Sequence, residues 1–518
     1  MYDFETLKNM THYRTRFSQH QVAIFDADND ISYTYRDLEI RSDKLAWFLT
    51  KKLGLKKGDR IGFCALNNVA FFDAFYTTFK TGIIITTYNF LLREKELFSL
   101  IANEDPGVIF YSPECVFIAM ALKDEGFKQE FICLGEKGND DNYCYEDIMK
   151  SEAYEIVEPP ELDYEDIQML IHTGGTTGKP KAAMISFRSI LFNVICEMYG
   201  LQVRSMDSAI QTLPLFHTAG WNVLTLPLLH TGGKIILVKA FNPEKVLELI
   251  RHERPTIGIS VETMYKALAM HPDFKGTDFS CYRFLISGAA PTGKDLLEVY
   301  WKRDILLMNC YGMTEVGPNN MSAPLFCTID DIRKKWNSCG IAAPFNQFKI
   351  VDDNGNEVPT GERGEMIFNG KMLFSGYWND PEATAEIYKD GWVHTGDVGY
   401  LDEDGFCYIC GRKKNMFISG GENIFPQEIE DVIMTVPGVA EVCIIGVSDS
   451  KWGEVGRALV VLAPGAEVEK ELITKAVKSE LSTIKAPKYI SFVDSIPKNP
   501  IGKRDTTLIY DLYGKPEN

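Results

Sequence analysis

The segment that most constrains this chain is 166–187, where two apolar runs flank a loop of unusual composition. The first run, Asp166-Ile167-Gln168-Met169-Leu170-Ile171-His172, enters Thr173-Gly174-Gly175-Thr176-Thr177-Gly178-Lys179-Pro180-Lys181, which holds three glycines, three threonines and two lysines. Glycines let backbone N–H groups wrap an anion, threonine hydroxyls add donors, and lysines add charge. Spacing excludes two familiar phosphate holders. A Walker A loop wants glycine five residues before its Gly-Lys pair and Ser or Thr after it, but Thr173 and Pro180 stand there. A dinucleotide G-x-G-x-x-G wants its first glycine where Thr173 stands. Pro180 also blocks a helix of the Rossmann kind, and 182–187 reads as a second strand. The expectation is a phosphate loop between strands; the plainer alternative is a flexible hairpin.

Around this loop, strand-like and helical runs alternate. Residues 59–66 (DRIGFCAL) read as a buried strand, 69–81 as an aromatic-rich helix and 82–87 as a strand, and strand-like runs recur at 234–238, 257–261 and 283–287. This spacing predicts an α/β fold with largely parallel sheets. After about 337 the strands shorten (348–351, 364–368) and turn signals such as Asp352-Asp353-Asn354-Gly355 intervene, which predicts a small β-barrel. Beyond a boundary near 411–414 the pattern predicts an α+β piece with helix 426–436, strand 439–447, helix 470–481 and strand 489–493. A chain of 518 residues calls for about three or four folding units.

The net charge of −18 argues against a nucleic-acid partner, which would require a positive face, but leaves room for a local anion site. The 12 cysteines are scattered and 1–11 contains no apolar leader core, so reduced thiols in a cytoplasm are expected. Cys407 and Cys410 form a C-x-x-C within a strand-like run, with no second pair at zinc spacing. No apolar run is long enough for an integral membrane segment.

The loop resembles that of the adenylate-forming superfamily, the acyl-CoA synthetases, coumarate-CoA ligase-like enzymes, adenylation domains and luciferases, whose pattern T-S-G-T-T-G-x-P-K departs only where Gly174 replaces serine. Eight further motifs stand in the family's order. They are Ser32-Tyr33-Thr34-Tyr35-Arg36-Asp37-Leu38, Pro214-Leu215-Phe216-His217, Ser287-Gly288-Ala289-Ala290-Pro291, Tyr311-Gly312-Met313-Thr314-Glu315, His394-Thr395-Gly396-Asp397, Gly411-Arg412-Lys413-Lys414, Gly420-Gly421-Glu422-Asn423 and Pro500-Ile501-Gly502-Lys503. The resemblance implies a large N-terminal adenylation region, 1–411, of two α/β subdomains plus the barrel. It also implies a hinge at 412–414 and a mobile C-terminal domain, 415–518. The implied reaction joins a carboxylic acid to AMP from ATP, with loss of pyrophosphate, then passes the acyl group to a thiol.

The resemblance also implies roles residue by residue. Glu315, with Thr176, would hold Mg²⁺, since a carboxylate is a suitable hard oxygen ligand. Thr173, Gly174, Gly175, Thr177, Gly178 and Lys181 would surround the phosphates. Gly288, Ala289, Ala290, Tyr311, Gly312 and Thr314 would line the nucleotide, and Asp397 and Arg412 would reach its ribose. Lys503 would serve adenylation, Gly421 would enter the site for thioester formation, and Lys414 would be the hinge. His217 would stand between acid pocket and thiol tunnel. Ala219, Trp221, Val223, Cys310, Pro318 and Asn319 would line the acid pocket, whose apolar surroundings point to a fatty or aromatic acid. The expected thiol is coenzyme A. A separate carrier protein, or a nucleotide-binding protein without catalysis on the same fold, stay open as alternatives at this point.

Overall fold

The computed structural model describes residues 7–135, 141–174, 180–498 and 504–515. Helix Ala70–Thr81 is buried along its whole length. Its sequence explains this, because a helix carrying aromatics on every side has no face to give to water. Its buried Asp73 is balanced by Arg41, whose Nη2 lies 2.7 Å from Oδ2, and by the Tyr145 hydroxyl at 2.7 Å. The helix ends at Gly82, whose φ of +66° suits the left-handed cap.

This helix belongs to the larger of two compact units, 1–347 with 368–393; the smaller comprises 348–367 and 394–518. In the larger unit a seven-stranded sheet runs Tyr143–Cys144, Glu130–Cys133, Val108–Tyr111, Arg60–Cys64, Ile84–Thr87, Ile167–Gly174, Pro180–Ser186. All its pairings are parallel except the last. A second sheet places Lys234–Leu237 parallel to Ser208–Gln211 and Val22–Asp26. A third set runs Ile257–Val261, Phe284–Gly288 and Leu307–Met313 in parallel, then turns antiparallel through Gly317–Ser322 and Ser338–Ala342. The α/β expectation holds, with strands within one or two residues of the expected runs.

Strands Cys407–Arg412, Trp392–Leu401, Gly364–Gly370 and Asn346–Val351 pair in that order. Among the described residues no pairing closes this ladder into the expected barrel. Cys407 and Cys410, three apart on one strand, are buried and form no disulfide. The remainder is α+β, with helices Pro426–Ile433 and Lys470–Glu480. Along strand Val439–Asp449, Val442 and Ile444 pack with Ile429, Ile433, Ile473 and Val477. Cys443, Ile445 and Val447 pack on the opposite face with Ile496 and Ile509. Period-two alternation thus buries both faces of this sheet. No helix among the described residues is long and apolar enough to cross a membrane.

Candidate active site

The phosphate-loop arms are antiparallel strands, with Thr173 opposite Lys181 and Gly174 opposite Pro180. Gly175, Thr176, Thr177 and Gly178 lie outside the described residues, as does Lys503. Beneath the incoming arm, buried His172 bonds through Nε2 to Glu104 Oε1 at 2.6 Å and through Nδ1 to the Thr87 carbonyl at 3.0 Å. The ring stacks on Tyr88, with centroids 5.3 Å apart. Burial opposes a charged imidazole, but the Glu104 carboxylate outweighs it and the His172 pKa lies above its ordinary value.

The outgoing arm is flanked by 375–378. Ser375 donates its N–H to the Met184 carbonyl at 2.8 Å, Trp378 donates to Ala182 at 2.8 Å, and Ala183 and Tyr377 form a bridge. This pairing fixes Tyr377, whose hydroxyl donates to Glu315 Oε1 at 2.6 Å. The Thr173 side chain is a further hydrogen-bond partner of that hydroxyl, and Lys181 Nζ stands 5.3 Å above the ring. Burial, then the Glu315 charge, push the phenol above its ordinary pKa, keeping it a donor. Tyr377 therefore joins both loop arms to Glu315. Sequence reasoning missed it; the available signal was Gly376-Tyr377-Trp378, an aromatic pair after a glycine whose φ is +111°.

Glu315 is buried in the turn between Leu307–Met313 and Gly317–Ser322. Its carbonyl accepts from Phe374 N at 3.0 Å. That turn closes tightly: a Cβ on Gly312 would fall 2.2 Å from the Pro318 carbonyl carbon. Tyr311 is half-buried and stacks on Phe368, with centroids 6.2 Å apart. Gly288 ends strand Phe284–Gly288, and exposed Ala289 and Ala290 follow. Ala289 has a φ of +70°, a conformation that costs a non-glycine residue roughly 1–2 kcal/mol. Thr314 shares the Glu315 turn and is half-buried.

The smaller unit brings Asp397 and Arg412 together across paired strands, with Arg412 Nε 2.7 Å from Asp397 Oδ1. Arg412 Nη1 also donates to the Thr395 carbonyl at 2.9 Å. Gly396, at φ +70°, lets the chain turn its N–H to Glu365 Oε1. Lys414 is exposed in the one-turn helix Lys413–Asn415. Gly420 and Gly421, at φ +57° and +87°, form the two-residue hairpin between Phe417–Ser419 and Glu422–Ile424.

Exposed His217 occupies the N-cap position of helix Thr218–Asn222, and its ring centroid lies 4.6 Å from that of Phe216. Half-buried Ala219 lies on that helix with Trp221. Trp221 is packed among Phe71, Phe72 and Phe75, and its Nε1 donates to the Leu215 carbonyl at 2.6 Å. Val223 is fully buried. Cys310 is half-buried and burial pushes its thiol up to about 12. Pro318 is half-buried beside buried Asn319, which donates to Glu197.

The donor set fits Mg²⁺ brought in on phosphate. The described residues contain no group of three His, Cys, Asp or Glu side chains that could cage a metal, while Mg²⁺ needs only one or two protein carboxylates when phosphate oxygens complete its shell. Glu315 meets that need, oriented through one oxygen by Tyr377.

The chain matches known proteins over most of its length. A model of the AMP-binding enzyme family matches residues 12–378, and one of the AMP-binding enzyme C-terminal domain matches 428–503. A feruloyl-CoA synthase of an Amycolatopsis species is 34% identical over 492 residues, covering 95% of each chain. A long-chain-fatty-acid–CoA ligase of Mycobacterium tuberculosis is 31% identical over 509 residues, 97% of this chain and 98% of the relative. The crystal structure of ATP-bound MatB from Rhodopseudomonas palustris matches with a TM-score of 0.86 at 28% identity, covering 98% of this chain and 99% of that one. With two family models matching in order and full-length relatives on both sides of the aromatic–fatty divide, the chain belongs to the AMP-binding, adenylate-forming enzyme family.

Proposed function

We propose that this chain is an acid–thiol ligase that activates a carboxylic acid with ATP and passes the acyl group to coenzyme A. The observation that carries the reading is the Tyr377 junction, which gathers Thr173, Lys181 and Glu315. The first step sets one anion against another: a carboxylate oxygen attacks the α-phosphorus and the bond to pyrophosphate breaks. Such a step needs donors and cations more than a base, because the acid is already ionised near neutral pH. In the second step the thiol sulfur attacks the acyl carbon, the bond to AMP breaks, and the thiol proton leaves to solvent.

In this reading Glu315 and Thr176 hold Mg²⁺, which when bound withdraws charge from phosphate oxygens. Thr173, Gly174, Gly175, Thr177, Gly178 and Lys181 orient the phosphates, helped by Thr314. Tyr311 offers its ring to adenine beside Gly288, Ala289, Ala290 and Gly312, and Asp397 with Arg412 holds the ribose. Lys503 offsets the charge of the attacking carboxylate. Rotation at Lys414 exchanges Lys503 for Gly421 between the half-reactions. His217 separates the acid pocket, bounded by Ala219, Trp221, Val223, Cys310, Pro318 and Asn319, from the thiol path. None of the 12 cysteines forms a disulfide, which suits a reducing cytoplasm.

The test is incubation with Mg-ATP, coenzyme A and a panel of acids, following products by mass spectrometry. Acid-dependent AMP, pyrophosphate and acyl-CoA in equal amounts are expected. Acyl groups found only on a phosphopantetheinylated carrier protein would reassign the acceptor. ADP as product, or AMP independent of acid, would overturn the reading.

A further inference from the structure

Helix Phe187–Gly200, helix Thr218–Asn222 and strand Gly317–Ser322 enclose a group of acceptor oxygens that no described residue satisfies. Asn193 and Glu197 lie one turn apart on one face of the longer helix and are 3% and 2% exposed. Asn319, 2% exposed, donates Nδ2 to Glu197 Oε2 at 2.9 Å. Asn193 donates Nδ2 to the Asn222 carbonyl, and Asn222 donates Nδ2 to Thr218 Oγ1 at 3.0 Å. Each amide nitrogen is thus engaged, while Glu197 Oε1, Asn193 Oδ1, Asn222 Oδ1 and Asn319 Oδ1 accept from no described residue. A Cβ at Gly317 would stand 3.5 Å from Asn193 Oδ1, so that oxygen is directed toward the strand carrying Asn319.

Buried polar atoms normally find partners, and four neighbouring acceptors that meet no protein donor mark a polar site for a water or a ligand group. They also lie beside residues assigned above to the acid pocket, Asn319 itself and Cys310. Cys310 is a near neighbour of Glu197, and a Cβ at Gly288 would stand 3.0 Å from Cys310 Sγ. The group therefore adjoins the strand ends that carry the proposed nucleotide and acid residues.

Resting on the acid-ligase reading above, we infer that Glu197, Asn193 and Asn319 form a specificity subsite for a hydrogen-bond donor, a hydroxyl or an amino group, borne by the acid away from its carboxylate. An acid with such a donor pairs the orphaned oxygens. One ending in a methyl group displaces water and leaves them unpaired, and is rejected for that reason. Burial pushes the Glu197 carboxyl above its ordinary range, which favours a neutral hydroxyl over an ammonium.

The test is acid-dependent ATP–pyrophosphate exchange with matched acids: cinnamates bearing para-hydroxyl, para-amino or para-methyl groups, and straight-chain acids ending in hydroxyl, amine or methyl. In the series the enzyme accepts, the hydroxy acid should exceed its methyl counterpart in kcat/KM by about tenfold or more. An amino acid ahead of the hydroxy acid would assign the subsite to N–H donors. Glu197→Leu and Glu197→Gln should both shrink the ratio, the former to within about threefold. A purely structural Glu197 would lower both acids alike and leave the ratio fixed. If Glu197→Leu does not fold, Glu197→Gln and Asn319→Ala carry the comparison. Methyl acids equal or preferred in every series, or a ratio that none of these variants moves, overturns the inference while leaving the ligase reading intact. Exchange with no acid overturns both.

Discussion

Tyr377→Phe isolates the Glu315 junction. The substitution keeps the ring that Lys181 covers at 5.3 Å and the edge contact with Phe374 at 5.0 Å, and removes only the hydroxyl, which donates to Glu315 at 2.6 Å and also meets the Thr173 side chain. Glu315 is 5% exposed, so water cannot readily replace the lost donor. A hydrogen bond to a charged, buried acceptor is worth about 1.5–3 kcal/mol. If that energy orients the carboxylate for Mg²⁺, its loss appears in the adenylation barrier, where about 1.4 kcal/mol is tenfold. Acid-dependent pyrophosphate exchange should therefore fall about 10–100-fold, and its half-saturating Mg²⁺ should rise. Transfer from chemically made acyl-adenylate to coenzyme A should change by less than about threefold, because that step breaks no phosphate bond to pyrophosphate. A folded variant with unaltered exchange and Mg²⁺ dependence would refute the positioning role. Equal loss in both half-reactions would mean that Tyr377 supports the fold rather than the metal ligand.

Three further outcomes are expected. Glu315→Gln should depress exchange more than about 100-fold without rescue by added Mg²⁺, measured beside a circular-dichroism control for folding. His172 has a folded pKa above its unfolded value, so its contribution to stability is full below pH ~6.5 and is lost as pH rises through the folded value; urea denaturation should show the gap between wild type and Glu104→Gln widest near pH 6 and narrowing on the alkaline side. Gly312→Ala would place a methyl 2.2 Å from the Pro318 backbone, and chemical denaturation should report a loss of about 3 kcal/mol or a failure to fold.

Much of the fold can be read from local patterns because they report local physics. The run at 257–261 is a strand with those bounds, and the aromatic helix at 69–81 begins one residue later. The smaller unit shows where such reading stops. The strand expected at 439–447 continues to Asp449 and returns as Gly453–Leu462, which the pattern did not reveal. Buried Arg457 interrupts the apolar alternation of that return strand, and only its bond to the Tyr513 carbonyl and its place over the Tyr489 ring explain its burial. The helix expected to reach 436 stops at Ile433, before Gly438 turns the chain at φ +94°. The short strands near 348–368 were legible, but their closure into a barrel was inferred from texture, which carries no information about pairing.

The site divides along the same line. Motif residues with short spacing were visible, whereas the contacts that orient them join residues far apart: 62 positions for Tyr377 and Glu315, 68 for His172 and Glu104, 122 for Asn319 and Glu197. Nothing in a local pattern encodes such pairs, since topology creates them after the helices and strands exist. The acid pocket makes the consequence concrete. Trp221 and Val223 announce themselves by hydrophobicity and suggest an apolar acid. Asn193 and Glu197, inside FRSILFNVICEMYG, resemble the polar stripe of an ordinary amphipathic helix. Yet an apolar wall separates acids differing by a methylene only about 10–200-fold, whereas buried oxygens built to meet a donor can reject its absence far more strongly. The residues that most narrow the substrate are thus those whose sequence signature is weakest, and substrate class in this chain is better inferred from unpaired buried atoms than from the hydrophobicity around them.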